Sequence, residues 1–416
     1  MTSITPSTAP VPTAPAAAGA RRRAGRRHLV FYALYTALTS ARFTAAIWLI
    51  YLAAQGYSPF AIGLFEMVFH LAKFAAEVPT GVFADLVGRR ASLIAACVVG
   101  ALGELLFLTP TPTLIVLSLA LSGLSFAFRG GADAALLWGL SGTADDPATA
   151  ARYSHLYSRM LLVMLAGEAI GTSAGGAMGS ALAALPFLAQ SVLMLAAIVP
   201  LLALPEQRAT THHRARPLAH IGAGLGAVRR DPALLCLLLL SGLLAGVFAT
   251  VSMYSQLFFS ALGLSQAAIG LLFAVAIVPN ALYAGLSPRL IARVPAGWLL
   301  GACILAEGLG LLAMRTAWLA VAVPGFVLLF YATDALVMPA ISRYLNERAP
   351  EAQRATILSL DTGLFSAVMI VLFPLFGFGL THGSFSGILT WTLLALVGGA
   401  AAIGLAARGL LSERRA

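Results

Sequence analysis

Apolar residues run along this chain in blocks of about twenty, divided by short polar breaks, without the two-residue alternation a β-barrel would need. Blocks of that length predict helices that cross hydrocarbon. Twelve are legible, near residues 29 to 53, 60 to 81, 91 to 109, 113 to 138, 157 to 180 and 183 to 204, then near 233 to 257, 266 to 287, 297 to 314, 317 to 338, 356 to 379 and 386 to 408. The expected class is an all-α membrane protein in two six-helix bundles, 29–204 and 233–408. A polar linker at 205–232 joins them, and a tail at 409–416 ends the chain. Residues 1–28, rich in Pro, Thr, Ser and Ala and closing on Arg21, Arg22, Arg23, Arg26 and Arg27, read as a disordered basic tail at a membrane surface.

Composition removes the soluble alternative. Hydrophobic residues make up 60% of the 416 residues and charged ones only 10%, with a mean hydropathy of +0.90; a soluble domain carries roughly 25% charged residues. The three cysteines, Cys97, Cys236 and Cys303, lie inside apolar runs with no CxxC spacing, so neither a disulfide framework nor a metal site is expected.

Net charge is +10 and rests on arginine, since Lys73 is the only lysine. The breaks after even-numbered spans carry Arg89 and Arg90, Arg152, the group Arg208, Arg214, Arg216, Arg229 and Arg230, then Arg289 and Arg293, then Arg343, Arg348 and Arg354. Those after odd-numbered spans carry only Arg315. The positive-inside bias puts both termini and the linker in the cytoplasm, and the expected location is a bacterial-style inner membrane.

The halves repeat each other. Ser58-Pro-Phe-Ala-Ile-Gly-Leu64 returns as Ser265-Gln-Ala-Ala-Ile-Gly-Leu271, Cys97 answers to Cys303, Asp133 to Asp334 and Arg152 to Arg354. Duplication of six spans in one orientation implies two bundles about an axis along the membrane normal, a construction of alternating-access transporters.

Between spans 2 and 3 the chain reads Gly81-Val-Phe-Ala-Asp85-Leu-Val-Gly88-Arg89-Arg90, which resembles the GxxxD(R/K)xGR(R/K) signature of the major facilitator superfamily. Gly81 permits close helix approach, Gly88 a tight turn, and the arginines hold the cytoplasmic side. The resemblance implies that Asp85 braces one half against the other in the outward-facing state, with Leu86 departing from the usual basic residue. Span 5 carries Gly167-Glu-Ala-Ile-Gly171-Thr-Ser-Ala-Gly175-Gly176, which resembles the GxxxGPxxGG motif of antiporter branches, with Thr172 in place of the proline. The spacing alone equally fits ordinary helix packing through small residues. Arg129 with Gly130, Gly131 and Asp133 partly resembles the family's helix 4 arginine motif.

Ionisable residues inside spans are costly and tend to mark protein-lined cavities. Glu66, His70, Lys73 and Glu77 fall within about 60° on one helical stripe; Arg42, Arg129 and Asp133 join them from spans 1 and 4. A cavity reading makes these seven residues a substrate and proton site, with Glu66 or Asp133 as proton carrier and His70 as relay. The competing reading makes Glu66–Arg42, Lys73–Glu77 and Arg129–Asp133 fixed ion pairs. Glu104 and Glu307 sit in spans 3 and 9, which the family fold places outside the cavity. His212, His213 and His220 lack a completing ligand, and the absence of a P-loop leaves ATP out as energy source, so no cofactor is expected.

The expected function is a secondary transporter, not an enzyme, that moves a small organic molecule by alternating access. Proton-coupled efflux of a drug-like compound or metabolite leads; uptake or facilitation of a metabolite, anionic and held by Arg42 and Arg129, is the alternative, and a lipid-handling protein that keeps the fold is a third. The partners are a small-molecule substrate, protons and the lipid bilayer, without nucleic acid, and a monomer is expected.

Overall fold

A computed structural model describes residues 14–142, 146–207, 226–350 and 353–413, and among these it is helical without strands. The first half comprises α1 (Ala14–Ser40), α2 (Trp48–Ala54), α3 (Pro59–Leu86), α4 (Arg89–Leu106), α5 (Pro112–Arg129), α6 (Ala132–Ser141), α7 (Thr149–Ala181), α8 (Leu185–Ala196) and α9 (Ile198–Leu202). The second half comprises α10 (Pro232–Ala261), α11 (Gln266–Arg293), α12 (Ala296–Arg315), α13 (Leu319–Pro324), a π-helical stretch (Gly325–Tyr331), α14 (Asp334–Arg348), α15 (Arg354–His382) and α16 (Phe385–Glu413). Each expected span has its helical counterpart. Ten are long and apolar enough to cross a membrane. The other two are the first span, which is broken over 41–47, and α4, which holds Arg89, Arg90 and Glu104.

One difference concerns the amino-terminal tail. The backbone of α1 starts at Ala14 and takes in much of the tail expected to be disordered, because alanine and arginine there are strong helix formers. Residues 1–13 and the linker's Arg208, His212, His213, Arg214, Arg216 and His220 lie outside the described residues.

The repeated heptapeptide proves to be a helix start used twice. Ser58 and Ser265 are N-caps in extended backbone, their hydroxyls accepting from the Ala61 and Ala268 N–H, each at 3.2 Å. The glycine of each copy then meets the opposite half. A Cβ on Gly63 would lie 2.8 Å from the Pro374 Cα, and one on Gly270 would lie 2.9 Å from the Gly176 Cα. α3 therefore runs along α15, and α11 along α7, as a symmetric pair of seams between halves.

Both seams close at the end of the bundle away from the termini, here called distal. The Tyr254 hydroxyl donates to the Pro59 carbonyl at 2.9 Å, Gln256 Nε2 donates to the Ala45 carbonyl at 2.8 Å, the Leu49 N–H donates to Gln256 Oε1 at 3.2 Å, and the Ala267 N–H donates to Ser180 Oγ at 2.9 Å. Apolar packing follows the same division. One core, including Leu49, Ile62, Tyr254, Phe259 and Phe373, joins both halves distally and continues through the second half to Leu300 and Leu345, whereas Tyr35, Leu93, Leu136 and Leu201 form a separate core in the proximal part of the first half. The described structure is closed distally.

Candidate functional site

The site begins at the break in span 1. Between Ala41 and Ile47 the chain leaves the helix, and interrupted spans survive in a membrane only where protein satisfies the freed backbone. Two glutamines do so. Gln190 Oε1 accepts from the Phe43 N–H at 2.8 Å, and Gln256 bridges Ala45 and Leu49 from the opposite half. The glycine stripe of α7 makes the approach possible: a Cβ on Gly167 would press on Ser40, one on Gly171 on the Ala41–Arg42 backbone, and one on Gly175 would overlap the Phe43 carbonyl. Gly176 turns to the other side and meets Gly270. The stripe is thus a packing surface that sets where Arg42 emerges.

Arg42 emerges into a cavity of about 280 Å³ between the halves. Glu66, His70, Lys73 and Arg129 also line it. The walls differ in kind, since every charged lining residue comes from the first half, and the second half supplies only Ala249, Met253, Phe365 and Met369.

Of the expected ion pairs, one forms. Arg129 Nε lies 3.3 Å from Asp133 Oδ2, and Tyr35 donates to Asp133 Oδ1 at 2.9 Å. Asp133 faces a second cavity of about 250 Å³ inside the first half, which shares Thr39 and Arg129 with the first. Glu66 instead faces His70, Oε1 to Nε2 at 3.6 Å, with both side chains 4% exposed. Arg42 makes no ion pair within 4.0 Å among the described residues. Lys73 lies over the Phe365 ring, 5.8 Å from its centre.

Two placements correct the expectations. Glu77 is exposed, lines neither cavity and does not pair with Lys73. It shares the stripe, but eleven residues separate it from Glu66, about 16 Å along the axis, which carries it past the cavity to where the halves part. Glu104 does line the cavity, and Thr44 donates to its Oε1 at 3.5 Å. The broken first span leaves the gap through which α4 reaches the centre. Glu307 is buried in the second half away from both cavities.

Asp133 is held by Arg129 and Tyr35, whereas Glu66 has His70 at 3.6 Å and no hydrogen bond among the described residues. Asp133→Asn is expected to lower the melting temperature by loosening Arg129 and Tyr35 and to leave substrate-dependent proton movement in place; dye-monitored proteoliposomes read the second quantity and a thermal melt the first.

The loop signature works within one half in this state. Gly88 has φ +136°, a backbone that favours glycine, and its missing side chain leaves room for Glu206. The Arg90 N–H donates to Glu206 Oε1 at 2.9 Å, Arg90 Nη1 donates to the Leu204 carbonyl at 2.8 Å, and Arg89 Nη1 donates to the Ala135 carbonyl at 3.0 Å. These bonds tie the start of α4 to the ends of spans 4 and 6. Asp85 is exposed and forms no ion pair among the described residues, and Gly81 faces open space, so the close approach expected there is missing while the proximal seam is apart. Gly88→Ala is expected to cost about 1–3 kcal/mol, read as a lower melting temperature in detergent.

Several site residues went unnamed in the sequence reading. Gln190 and Gln256 carried a usable signal, being amides inside apolar spans, each 2% exposed or less. Phe365, Met253 and Met369 carried none, because an apolar side chain facing a cavity looks in sequence like one facing lipid.

The family model described as Major Facilitator Superfamily matches residues 29–374. A Bacillus subtilis (strain 168) protein described as "Uncharacterized MFS-type transporter YxaM" is 24% identical over 341 residues, covering 80% of this chain and 83% of that protein. Among solved structures, the nucleoside transporter NupG superposes with a TM-score of 0.75 at 12% identity, over 92% of this chain and 98% of that one. A bacterial homolog of the human lysosomal transporter Spinster, in an inward-facing and unoccupied conformation, gives 0.70 at 17% identity, over 94% and 98%. At these identities the structural likeness establishes the fold.

Proposed function

The chain belongs to the major facilitator superfamily, and from that premise we propose a proton-coupled secondary transporter that carries a small organic molecule through the cavity at Arg42, Glu66, His70, Lys73 and Arg129. The supporting observation is the buried Glu66–His70 pair on the cavity wall. Glu66 lines the cavity with His70 at 3.6 Å and without a hydrogen bond among the described residues, which suits it to exchange a proton with the cavity. His70 stands between it and Lys73 as relay.

The arginines of the even-numbered breaks support cytoplasmic termini in an inner membrane, and hence a distally closed state that faces the cytoplasm. Asp85, without an ion pair among the described residues, then braces the halves in the opposite state. Each half contains its own share of the seams, so a monomer suffices. Export rests on the resemblance of Gly167 to Gly176 to an antiporter motif, and the packing role of those glycines accounts for them without it. The charges of the cavity support the second direction, co-transport of an anion with a proton. The test is proton movement in proteoliposomes on addition of single solutes from anionic, cationic and neutral classes. Alkalinisation outside that follows solute entry supports coupling, and solute movement with no proton flux refutes it.

A further inference from the structure

The charge balance around Arg42 and Lys73 bears on what the cavity holds. Arg129 is matched by Asp133, which leaves Arg42 and Lys73 against Glu66 and Glu104. Arg42 is exposed to the cavity, and neither it nor Lys73 has a carboxylate within 4.0 Å among the described residues. With Glu66 protonated, the lining charges apart from the Arg129–Asp133 pair are two cations and one carboxylate, Glu104, while Glu77, one turn along α3 and outside the cavity, also acts on Lys73. His70 adds an unmet polar group: the residue is 3% exposed, lines the cavity, and its Nδ1 has no hydrogen-bond partner. When Glu66 holds a proton and directs it at Nε2, the ring's own hydrogen sits on Nδ1 and offers a donor. The facing wall is apolar, Met253, Phe365 and Met369.

We propose that the cavity takes an amphipathic organic anion together with one proton, the anionic head between Arg42, Lys73 and His70 Nδ1–H and the apolar body against Met253, Phe365 and Met369. This rests on the transport reading above and names its substrate class. Ionising Glu66 moves the imidazole hydrogen to Nε2, turns Nδ1 into an acceptor and restores charge neutrality, and both changes expel the head group. Besides His70 and Lys73 on its own helix, Glu66 is faced by Arg42 from span 1, Glu104 from span 3, Arg129 from span 4 and the Tyr254 hydroxyl from span 7. Of the two cavity carboxylates, Glu66 is 3% exposed with His70 at 3.6 Å, whereas Glu104 accepts from Thr44.

The test uses the full chain in nanodiscs with octanoate, octyl phosphate and octylammonium as matched probes and thermal stabilisation as the readout. Octanoate is expected to bind and octylammonium not, with affinity for octanoate rising roughly 5- to 150-fold as the medium is acidified from about pH 8 to about pH 6. Octyl phosphate tells a carboxylate pocket from a general anion pocket; binding of either anion fits. Arg42→Gln and Lys73→Gln are expected to lose octanoate binding about tenfold or more, while Arg42→Lys and Lys73→Arg recover part of it, which separates lost contact from lost fold. Glu66→Gln is expected to bind octanoate equally at both pH values. Binding of octylammonium in preference to both anions, or anion affinity that falls on acidification, overturns the proposal. Should that occur while substrate-driven proton flux persists, the transport reading stands and the substrate class alone is wrong.

Discussion

Proteoliposomes carrying Glu66→Gln are expected to move substrate down its gradient and to show no substrate-driven proton flux. The amide has the size of the protonated acid and keeps a hydrogen to direct at His70, so the variant mimics the proton-loaded state permanently. Substrate affinity should lose its pH dependence, the roughly 5- to 150-fold that a coupling free energy of ordinary size supplies, and accumulation against a gradient should vanish because nothing is released with the substrate. The pair is isolated: Glu66 and His70 are each 4% exposed at the side chain and 3.6 Å apart, and the His70 ring makes a T-shaped contact with Phe365 from the other half. In the proposed cycle, rocking of the halves breaks that aromatic contact and gives the proton a route to water in one state and none in the other. Retained proton flux in Glu66→Gln, alongside its loss in Asp133→Asn, would move the carrier to span 4.

A bulky residue at Gly176 is expected to hold the distal seam open. Gly176 and Gly270 cross so closely that a Cβ on either meets the other's Cα at 2.9 Å, and a backbone contact of that kind cannot be relieved by a rotamer change. Gly176→Leu should therefore penalise the distally closed state by about 1–3 kcal/mol, a shift of roughly 5- to 150-fold toward the opposite state. Transport slows in proportion, while labelling of a cysteine placed at Ser180 from the distal side becomes faster. Unchanged labelling with normal transport would mean that the seam at α7 and α11 has slack. Gly63, which occupies the equivalent place in the first copy of the heptapeptide, should respond in the same direction through Pro374.

The architecture was legible because hydrocarbon leaves little choice. Blocks of about twenty apolar residues must be helices, and the repeat at Ser58 and Ser265 reported two related halves before their contacts were known. What the repeat meant locally, a capped helix start followed by a glycine against the other half, needed the packing. The charged stripe of α3 is longer by one member than the cavity wall, which takes Glu66, His70 and Lys73 and leaves out Glu77. Angular position follows from the sequence, whereas the depth at which the halves part does not, and Glu77 lies beyond that depth. Glu104 was misplaced for a related reason: a break at 41–47 is invisible in a run whose composition stays apolar on both sides of Arg42. Asp133 and Glu66 looked alike in sequence, each an acid near an arginine, and were told apart only by the partners that tertiary structure gave to one of them.

Alternation itself is open to a distance measurement. With Cys97, Cys236 and Cys303 replaced, spin labels at Ser180 and Ala267 report the distal seam, and labels at Leu86 and Arg354 report the proximal ends of α3 and α15. A rocking transporter should show two distances for each pair whose populations change reciprocally with pH and with added substrate, the distal pair lengthening as the proximal pair shortens. A single, unchanging distance at both ends under every condition would contradict the account and leave a rigid membrane protein that keeps the fold without the cycle.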